Sequence, residues 1–178
     1  DRYAFTPAVF AEVARARLVD ADRIPLQRQL AAWYQGRAQR GGPLDTVAML
    51  AAAHHHLGAG DAAAAAEAYR LVGVRNLELF AYREARDALT RAVELAAGAD
   101  AELLDRACEA TLAVDGAAAA AGLASRALAA CGDDPALRAR LLWRAGHVAA
   151  AAGDSAGAIT HYQNGLALAA PDDRLAPW

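Results

Sequence analysis

Apolar residues along this chain recur every three to four positions, the spacing that lines one face of an α-helix. Only Tyr3-Ala4-Phe5 looks extended, as the end of a strand in an upstream domain would. Breakers interrupt the helical pattern at short intervals: Gly41-Gly42-Pro43, Gly58-Ala59-Gly60, Gly98, Asp115-Gly116, Gly132-Asp133-Asp134-Pro135, Gly153 and Pro171. Between them lie segments rich in Ala, Leu, Arg and Glu, which are strong helix formers. The pattern predicts helices over 7–18, 26–40, 45–58, 61–79, 82–97, 101–114, 117–130, 135–152 and 155–169. The capping residues agree. Thr6-Pro7 and Asp134-Pro135 each place Pro in a first turn, where its missing N–H costs nothing. Gly60-Asp61 and Gly153-Asp154 join a left-handed helix stop to a carboxylate N-cap. Short connections make successive helices antiparallel.

One pattern then repeats. Ala92-Val93, Ala127-Leu128 and Gly165-Leu166 are equivalent anchors, separated by 35 and 38 residues. Ala85, Ala88 and Leu89 precede the first, Ala120, Ala121 and Ala124 the second, and Ala158, Ile159 and Tyr162 the third. The period is that of a helix–turn–helix repeat of about 34 residues with loop insertions. Residues Ala139 to Asp172 resemble a tetratricopeptide repeat (TPR). Leu142, Ala145, Gly146 and Ala149 fill its first helix, Gly153-Asp154 its turn, and Ala158, Tyr162 and Gly165 its second helix. Trp143 stands one place after the usual Trp, and Gly165 replaces the usual Ala. Looser matches cover about 66–100, through Gly73, Ala85, Leu89 and Ala92, and 101–138, through Leu104, Ala107, Ala120 and Ala127. Short side chains let paired helices approach closely while Leu and Tyr fill the gaps between pairs. The expected fold is all-α, a right-handed superhelical array of antiparallel TPR-like hairpins.

The preceding region carries a second resemblance. "YAFTPAVFAEVARARL", "RIPLQRQLAAWYQGRA", "AMLAAAHHHLGAGDAAAAAEAYRLVG" and "LFAYREARDALTRAVELA" follow the order seen where the ATPase core meets the repeat arm in bacterial STAND-type regulators, large LuxR-type activators among them. In place of the His usual after the Phe stands Thr6-Pro7. The resemblance implies residues 1–24 as the end of an upstream winged-helix-like domain or linker. A leading hairpin over 25–60, repeats over 61–173 and a truncated tail over 174–178 follow. The chain starts at Asp1 without an initiator Met and reads as an excerpt of a longer protein.

Composition narrows the function. The 178 residues carry 18 basic and 21 acidic side chains, a net charge of −3, which argues against a dominant nucleic-acid footprint. Every basic residue other than histidine is Arg. The absence of Lys removes the P-loop lysine and any Schiff-base lysine. No charged segment leads into an apolar run as in a signal peptide. No apolar stretch approaches the roughly 20 residues of a membrane span. A cytoplasmic location is the expectation.

Candidate chemistry is sparse. His54, His55 and His56 are consecutive, so they point about 100° apart on a helix and cannot face one ion together. Structural or partly exposed histidines are the expectation, with metal binding or pH sensing the alternatives. The repeat resemblance gives His56 a packing place. His147 and His161 lie on the two helices of one hairpin with no third ligand at a metal spacing. Ser125 and Ser155 are the only serines, and neither sits in a nucleophile elbow. Asp133-Asp134 and Asp172-Asp173 read as caps beside Pro. Cys108 and Cys131 read as buried free thiols, with a disulfide or reactive thiol left open. Trp33, Tyr34, Arg37 and Arg40 read as an aromatic core pair with snorkelling arginines rather than a single-stranded nucleic-acid platform.

The TPR resemblance implies binding contacts on the first helix of each pair, along a concave face. Carried onto this chain, these are Glu67, Arg70 and Glu78; Glu102, Asp105 and Glu109; and Arg140, Trp143 and His147. Three carboxylates in the middle repeat would suit a peptide with a basic centre. The function expected is a non-enzymatic protein-interaction and signal-sensing scaffold, the regulatory arm of a larger bacterial STAND-type ATPase or transcription regulator. The alternative is a small-molecule (inducer) binding helical-repeat domain, with a pocket near Trp143 and His147. The partners would be proteins or peptides, including other domains of the same parent chain. No cofactor, membrane or direct nucleic-acid contact is expected.

Overall fold

The computed structural model describes residues 19–40 and 42–168. The extended segment at 3–5, the helix over 7–18 and the tail with Asp172-Asp173 lie outside these residues. Among the described residues the chain is all-α. The helices are α1 (Asp20–Ala38), α2 (Thr46–Gly58), α3 (Ala62–Glu78), α4 (Tyr82–Leu95), α5 (Ala101–Asp115), α6 (Ala117–Ala130), α7 (Pro135–Ala151) and α8 (Ser155–Leu168). From α2 onward the sequence pattern places every boundary within two residues.

The exception is α1, expected from 26 but starting at Asp20 and running through Pro25. Proline ends a helix when the hydrogen bond it removes is buried. Here Pro25 lies on the exposed side, and Ala21, whose carbonyl it leaves without an intrahelical donor, is exposed too. The first turn is closed ahead of it by Asp22 and Arg23, whose N–H groups both donate to the Val19 carbonyl, at 3.0 and 2.9 Å.

Aspartates start five of the helices. Asp45, Asp61, Asp100, Asp134 and Asp154 each accept a backbone N–H of the first turn, at 2.7 to 3.1 Å. Each such cap contributes about 1 kcal/mol. Of the pair 133–134, Asp134 alone fills this role.

The chain forms two compact units, Asp1–Ala68 and Tyr69–Trp178. In the first, α1 and α2 pair around Ala31, Ala38, Ala48, Met49, Ala52 and Ala53, all buried. In the second, α4, α5, α6, α7 and α8 pack in succession. Leu89 and Ala92 of α4 meet Leu103, Ala107 and Ala110 of α5. The same register recurs one repeat on, where Ala120, Ala124 and Ala127 of α6 meet Leu141, Ala145 and Val148 of α7. Close approach is enforced by glycine. A Cβ on Gly73 would strike Leu89, and one on Gly146 would strike the Tyr162 ring. A Cβ on Gly165 would sit 3.3 Å from the Ala139 carbonyl oxygen, which accounts for Gly where the repeat usually has Ala.

Three helix ends share one hydrogen-bond pattern. Gly60, Phe80 and Gly153 donate to the carbonyls of Leu57, Leu77 and Ala150, and the residue after each donates to His56, Asn76 and Ala149. All three take positive φ, at 78°, 57° and 82°. Glycine does so freely, whereas a side chain in this region costs on the order of 1 kcal/mol. Phe80 is therefore strained, and it is also 75% exposed. Phe80→Gly is expected to stabilise the chain by about 1 kcal/mol, read as a higher urea midpoint at unchanged slope; an unchanged or lower midpoint would show that the ring contact with Tyr82, 6.3 Å between centroids, outweighs the strain.

Candidate interaction surface

The second unit brings together the predicted groove residues of α5 and α7. Glu102, Asp105 and Glu109 lie on one face of α5, spaced by three and four residues. Arg140 and Arg144 lie one turn apart on α7. Arg144 donates from Nε to Asp105 Oδ1 at 3.0 Å and from a terminal nitrogen to Glu109 Oε2 at 2.7 Å. Arg140 donates to Glu102 at 3.3 Å and approaches the second oxygen of Asp105 at 3.5 Å. Arg106 adds a contact to Glu109 at 3.4 Å.

Asp105 is 1% exposed. It lies beneath the two arginines as a buried anchor, not on an open wall, so no side-chain surface is left for a ligand. The expectation of a basic-centred peptide counted the carboxylates of α5 without the arginines of the next hairpin. With those in place the acidic row is neutralised from within. Arg144, the centre of this network, was not among the predicted residues. Its signal was in the spacing: it follows Arg140 by four residues, and the repeat offset sets it between Asp105 and Glu109.

The aromatic part of the site is built on the same helix. Trp143 is 36% exposed. The Arg144 guanidinium lies 5.6 Å from its ring centroid, and the His147 ring packs beside it at 4.0 Å. His147 in turn meets Tyr162 of α8 edge-on at 6.1 Å. The Trp is thus propped by a cation whose N–H edge is held by two carboxylates. Beneath this layer the Cys108 thiol is buried, its pKa pushed up to about 11 chiefly by desolvation, so it stays protonated at neutral pH. Cys131 is also buried, and both thiols are free.

The other three predicted contacts are on α3. Glu78 pairs with Arg75 of its own helix at 2.8 Å. Arg70 is half-buried on α3. Glu67 is exposed on α3 and belongs to the first unit. The second unit also holds an open cleft of about 540 Å³ lined by Arg86, Thr90, Arg91, Thr111, Asp115 and Leu123 among others. Neither Trp143 nor His147 lines it. Arg86 is clamped to both oxygens of Asp115, at 2.7 and 2.8 Å.

In the first unit His55 and His56 pack, whereas His54 is exposed. The His55 ring bonds to Gln27 Oε1 of α1 at 2.6 Å and stacks on Tyr34 with centroids 5.4 Å apart. His56 reaches Gln35 Oε1 at 3.4 Å. Among the described residues no group of three His, Cys, Asp or Glu side chains is arranged to hold a metal ion. The expected Trp33–Tyr34 pair forms, its rings edge to face with centroids 4.8 Å apart, but it is not enclosed in the core. Tyr34 turns inward onto His55, while Trp33 is 53% exposed beneath the Arg37 guanidinium, 5.9 Å from its ring centroid. Adjacent helical residues diverge by about 100°, so two in a row cannot both face one neighbour. No helix among the described residues is long and apolar enough to cross a membrane.

The chain matches no protein-family model and no curated protein. Solved structures of MamA are similar in fold. One has a TM-score of 0.50 at 14% identity, with 93% of this chain and 96% of that chain covered. Another has 0.51 at 15%, covering 88% and 100%. A third, "MamA MSR-1 C2", has 0.51 at 14%, covering 94% and 93%. At such identity the likeness is one of fold.

Two outcomes test the site. Arg144→Ala leaves Asp105 buried without its main donor and is expected to destabilise the chain by about 3 kcal/mol. Replacing the pair, as Asp105→Leu with Arg144→Met, is expected to restore most of that loss in chemical denaturation, because neither charge then stays buried. The second concerns His55, whose pKa is lowered by burial and then by the His54 and His56 charges. The folded chain favours the neutral ring, so as pH falls through about 6.5 the unfolded chain takes up the proton first. Stability is therefore expected to drop on acidification, and His55→Phe to flatten the drop in thermal melts across pH; an unaltered slope would assign it to other groups. On the fold itself the helix order, the repeated register and the likeness to MamA agree: this is an all-α helical repeat array of the TPR type.

Proposed function

We propose that the chain is a non-enzymatic protein-interaction scaffold whose contact centre is Trp143 with His147 and Arg140. The observation that carries this reading is the exposed Trp143 ring fixed between the Arg144 guanidinium and His147. Trp and Arg dominate binding hot spots, and a contact held in place before binding loses little conformational freedom on association. The arginines and carboxylates around it neutralise one another, so the recognition element is aromatic rather than a charged field. An apolar side chain of a partner segment, with a polar group reaching Arg140, fits this chemistry. The likeness to MamA supports the scaffold reading at the level of fold.

The finer reading makes the chain the regulatory arm of a bacterial STAND-type ATPase or transcription regulator, sensing a partner and restraining the nucleotide-binding core. It rests on the resemblance of residues 3–97 to the linker of those regulators. A second reading, a small-molecule (inducer) domain, calls for a pocket near Trp143 and His147; the open cleft beside Thr90 and Thr111 includes neither and is lined mainly by charged side chains, so it gives that reading little support.

A photo-crosslinking amino acid at position 150, an exposed alanine two turns beyond Trp143 on α7, tests the scaffold reading in cells. A discrete protein adduct is expected, and Trp143→Ala is expected to reduce it at least about tenfold, a typical hot-spot loss. An adduct indifferent to Trp143, or none at all, would count against this contact centre.

A further inference from the structure

Asn76, Asp105 and Thr111 are the buried polar residues among those described. Asp105 is held by the arginines of α7. Thr111, on α5, is 7% exposed, and its hydroxyl makes no hydrogen bond with any described residue. A hydroxyl within a helix can donate to the carbonyl four residues back. Ser125 and Thr160 do so, to Ala121 at 3.1 Å and to Ala156 at 3.0 Å. Thr111 does not. No side-chain oxygen among the described residues is both sealed from solvent and without a partner. The Thr111 hydroxyl therefore opens outward, onto the cleft of about 540 Å³ that Thr111 lines.

Across that cleft, α4 presents Arg86, Thr90 and Glu94 at one-turn spacing, and Leu123 of α6 supplies an apolar patch. The charges here are closed on one another. Arg86 donates to both oxygens of Asp115 and to Asp87, the last at 2.7 Å, and Arg91 donates to Glu94 at 2.8 Å. Hydrogen-bonding capacity is what remains. The Thr90 and Thr111 hydroxyls, one oxygen each of Asp87 and Glu94, and the second terminal nitrogen of Arg86 have no hydrogen-bond partner among the described residues. The repeat does not demand this polar set. One repeat on, the positions of Arg86, Thr90 and Thr111 hold Ala121, Ser125 and Ala149.

We propose that the cleft between α4, α5 and α6 binds a neutral polyhydroxylated small molecule, a sugar or polyol of one or two rings, whose hydroxyls pair with Thr111, Thr90 and the unfilled atoms of the surrounding ion pairs. A hydroxyl both donates and accepts, so it can join a carboxylate oxygen to a guanidinium or threonine without breaking a salt bridge. An anion would meet Asp87, Glu94 and Asp115, and a cation would have to displace Arg86 or Arg91. Leu123 suits the C–H face of a ring. The volume falls in the range of about 300–1,000 Å³ seen for ligand sites. A ligand hydroxyl on Thr111 would also satisfy a buried group that the fold leaves unpaired. This site is separate from the surface around Trp143, so the failure of either leaves the other standing.

Amide correlation spectra of the isotope-labelled 178-residue chain, titrated with glucose, maltose and myo-inositol at millimolar concentrations, test the proposal. At least one of the three is expected to give saturable shifts centred on Thr90 and Thr111. Thr111→Val removes a hydroxyl that has no partner in the fold, so its melting temperature is expected to match or exceed the wild type, with binding weakened about fivefold. Thr90→Trp changes an exposed position and fills the cleft, and it is expected to abolish the shifts. It keeps the test decisive should the valine variant fold poorly. Gluconate and glucosamine, the anionic and cationic counterparts of glucose, are expected to bind more weakly than the neutral probe. No saturable shift with any neutral probe would overturn the proposal. So would shifts that survive Thr90→Trp, or tighter binding of either charged sugar.

Discussion

The distance between helix axes governs this molecule. Alanine and glycine at the crossing points let backbones come close, and everything else is fitted to that closeness. A buried methyl group contributes only about 0.8 kcal/mol, so a helix studded with alanine gains little per residue. Met49, Leu89, Leu141 and Val72 are the largest apolar side chains fully enclosed. Small residues make room for such side chains. Leu89 rests on Gly73, and Tyr162 covers Gly146 in the same manner. A chain built this way tolerates Ala almost anywhere on its surface and almost no enlargement at its crossings.

The same closeness explains the electrostatics. Where α5 and α7 run beside each other the contact is polar, and the guanidinium suits it. Its planar fork lets Arg144 serve Asp105 and Glu109 at once, which an ammonium on a flexible stem does less well. The buried carboxylate is weak evidence for extra stability, since desolvation offsets most of the attraction. Its consequence is specificity: this register of α7 on α5 brings both Arg140 and Arg144 to Asp105. Elsewhere charges are also settled locally, as in Arg86 with Asp115, Arg91 with Glu94 and Arg75 with Glu78. A surface whose charges are paired at home has little long-range field, and its distinguishing marks are the aromatic rings left partly outside.

Much of this architecture is written in local signals. The helix stops at Gly60 and Gly153, the caps at Asp61, Asp134 and Asp154, and the period of the small residues each depend on a few neighbouring positions. They could therefore be read without knowing the fold. The features that escaped depend on what lies across a contact or on which way a side chain faces solvent. Pro25 looks like a helix boundary until its exposed side is known. Phe80 holds a left-handed turn that no glycine announces. Asp105 looks like a ligand contact until Arg144 of the following hairpin is laid over it. Trp33 and Tyr34 look like a core pair, and their rings do touch, but Tyr34 alone stacks on α2 while Trp33 stays 53% exposed.

These cases share a cause that bears on how the chain recognises others. A repeat array uses each helix twice, once for its own partner and once for the neighbouring hairpin, and the two faces differ by a single residue in register. On α7 the pair Leu141 and Leu142 shows the division: the first belongs to the α6 contact and the second to the α8 contact. Trp143 is the next residue along and falls beyond both. An α-helix turns 100° per residue, so three consecutive positions exhaust the sides that packing can cover. In the scaffold reading proposed above, the first residue past the two packed faces is the one that meets another molecule. On α7 that residue is a tryptophan, braced by the arginine that follows it.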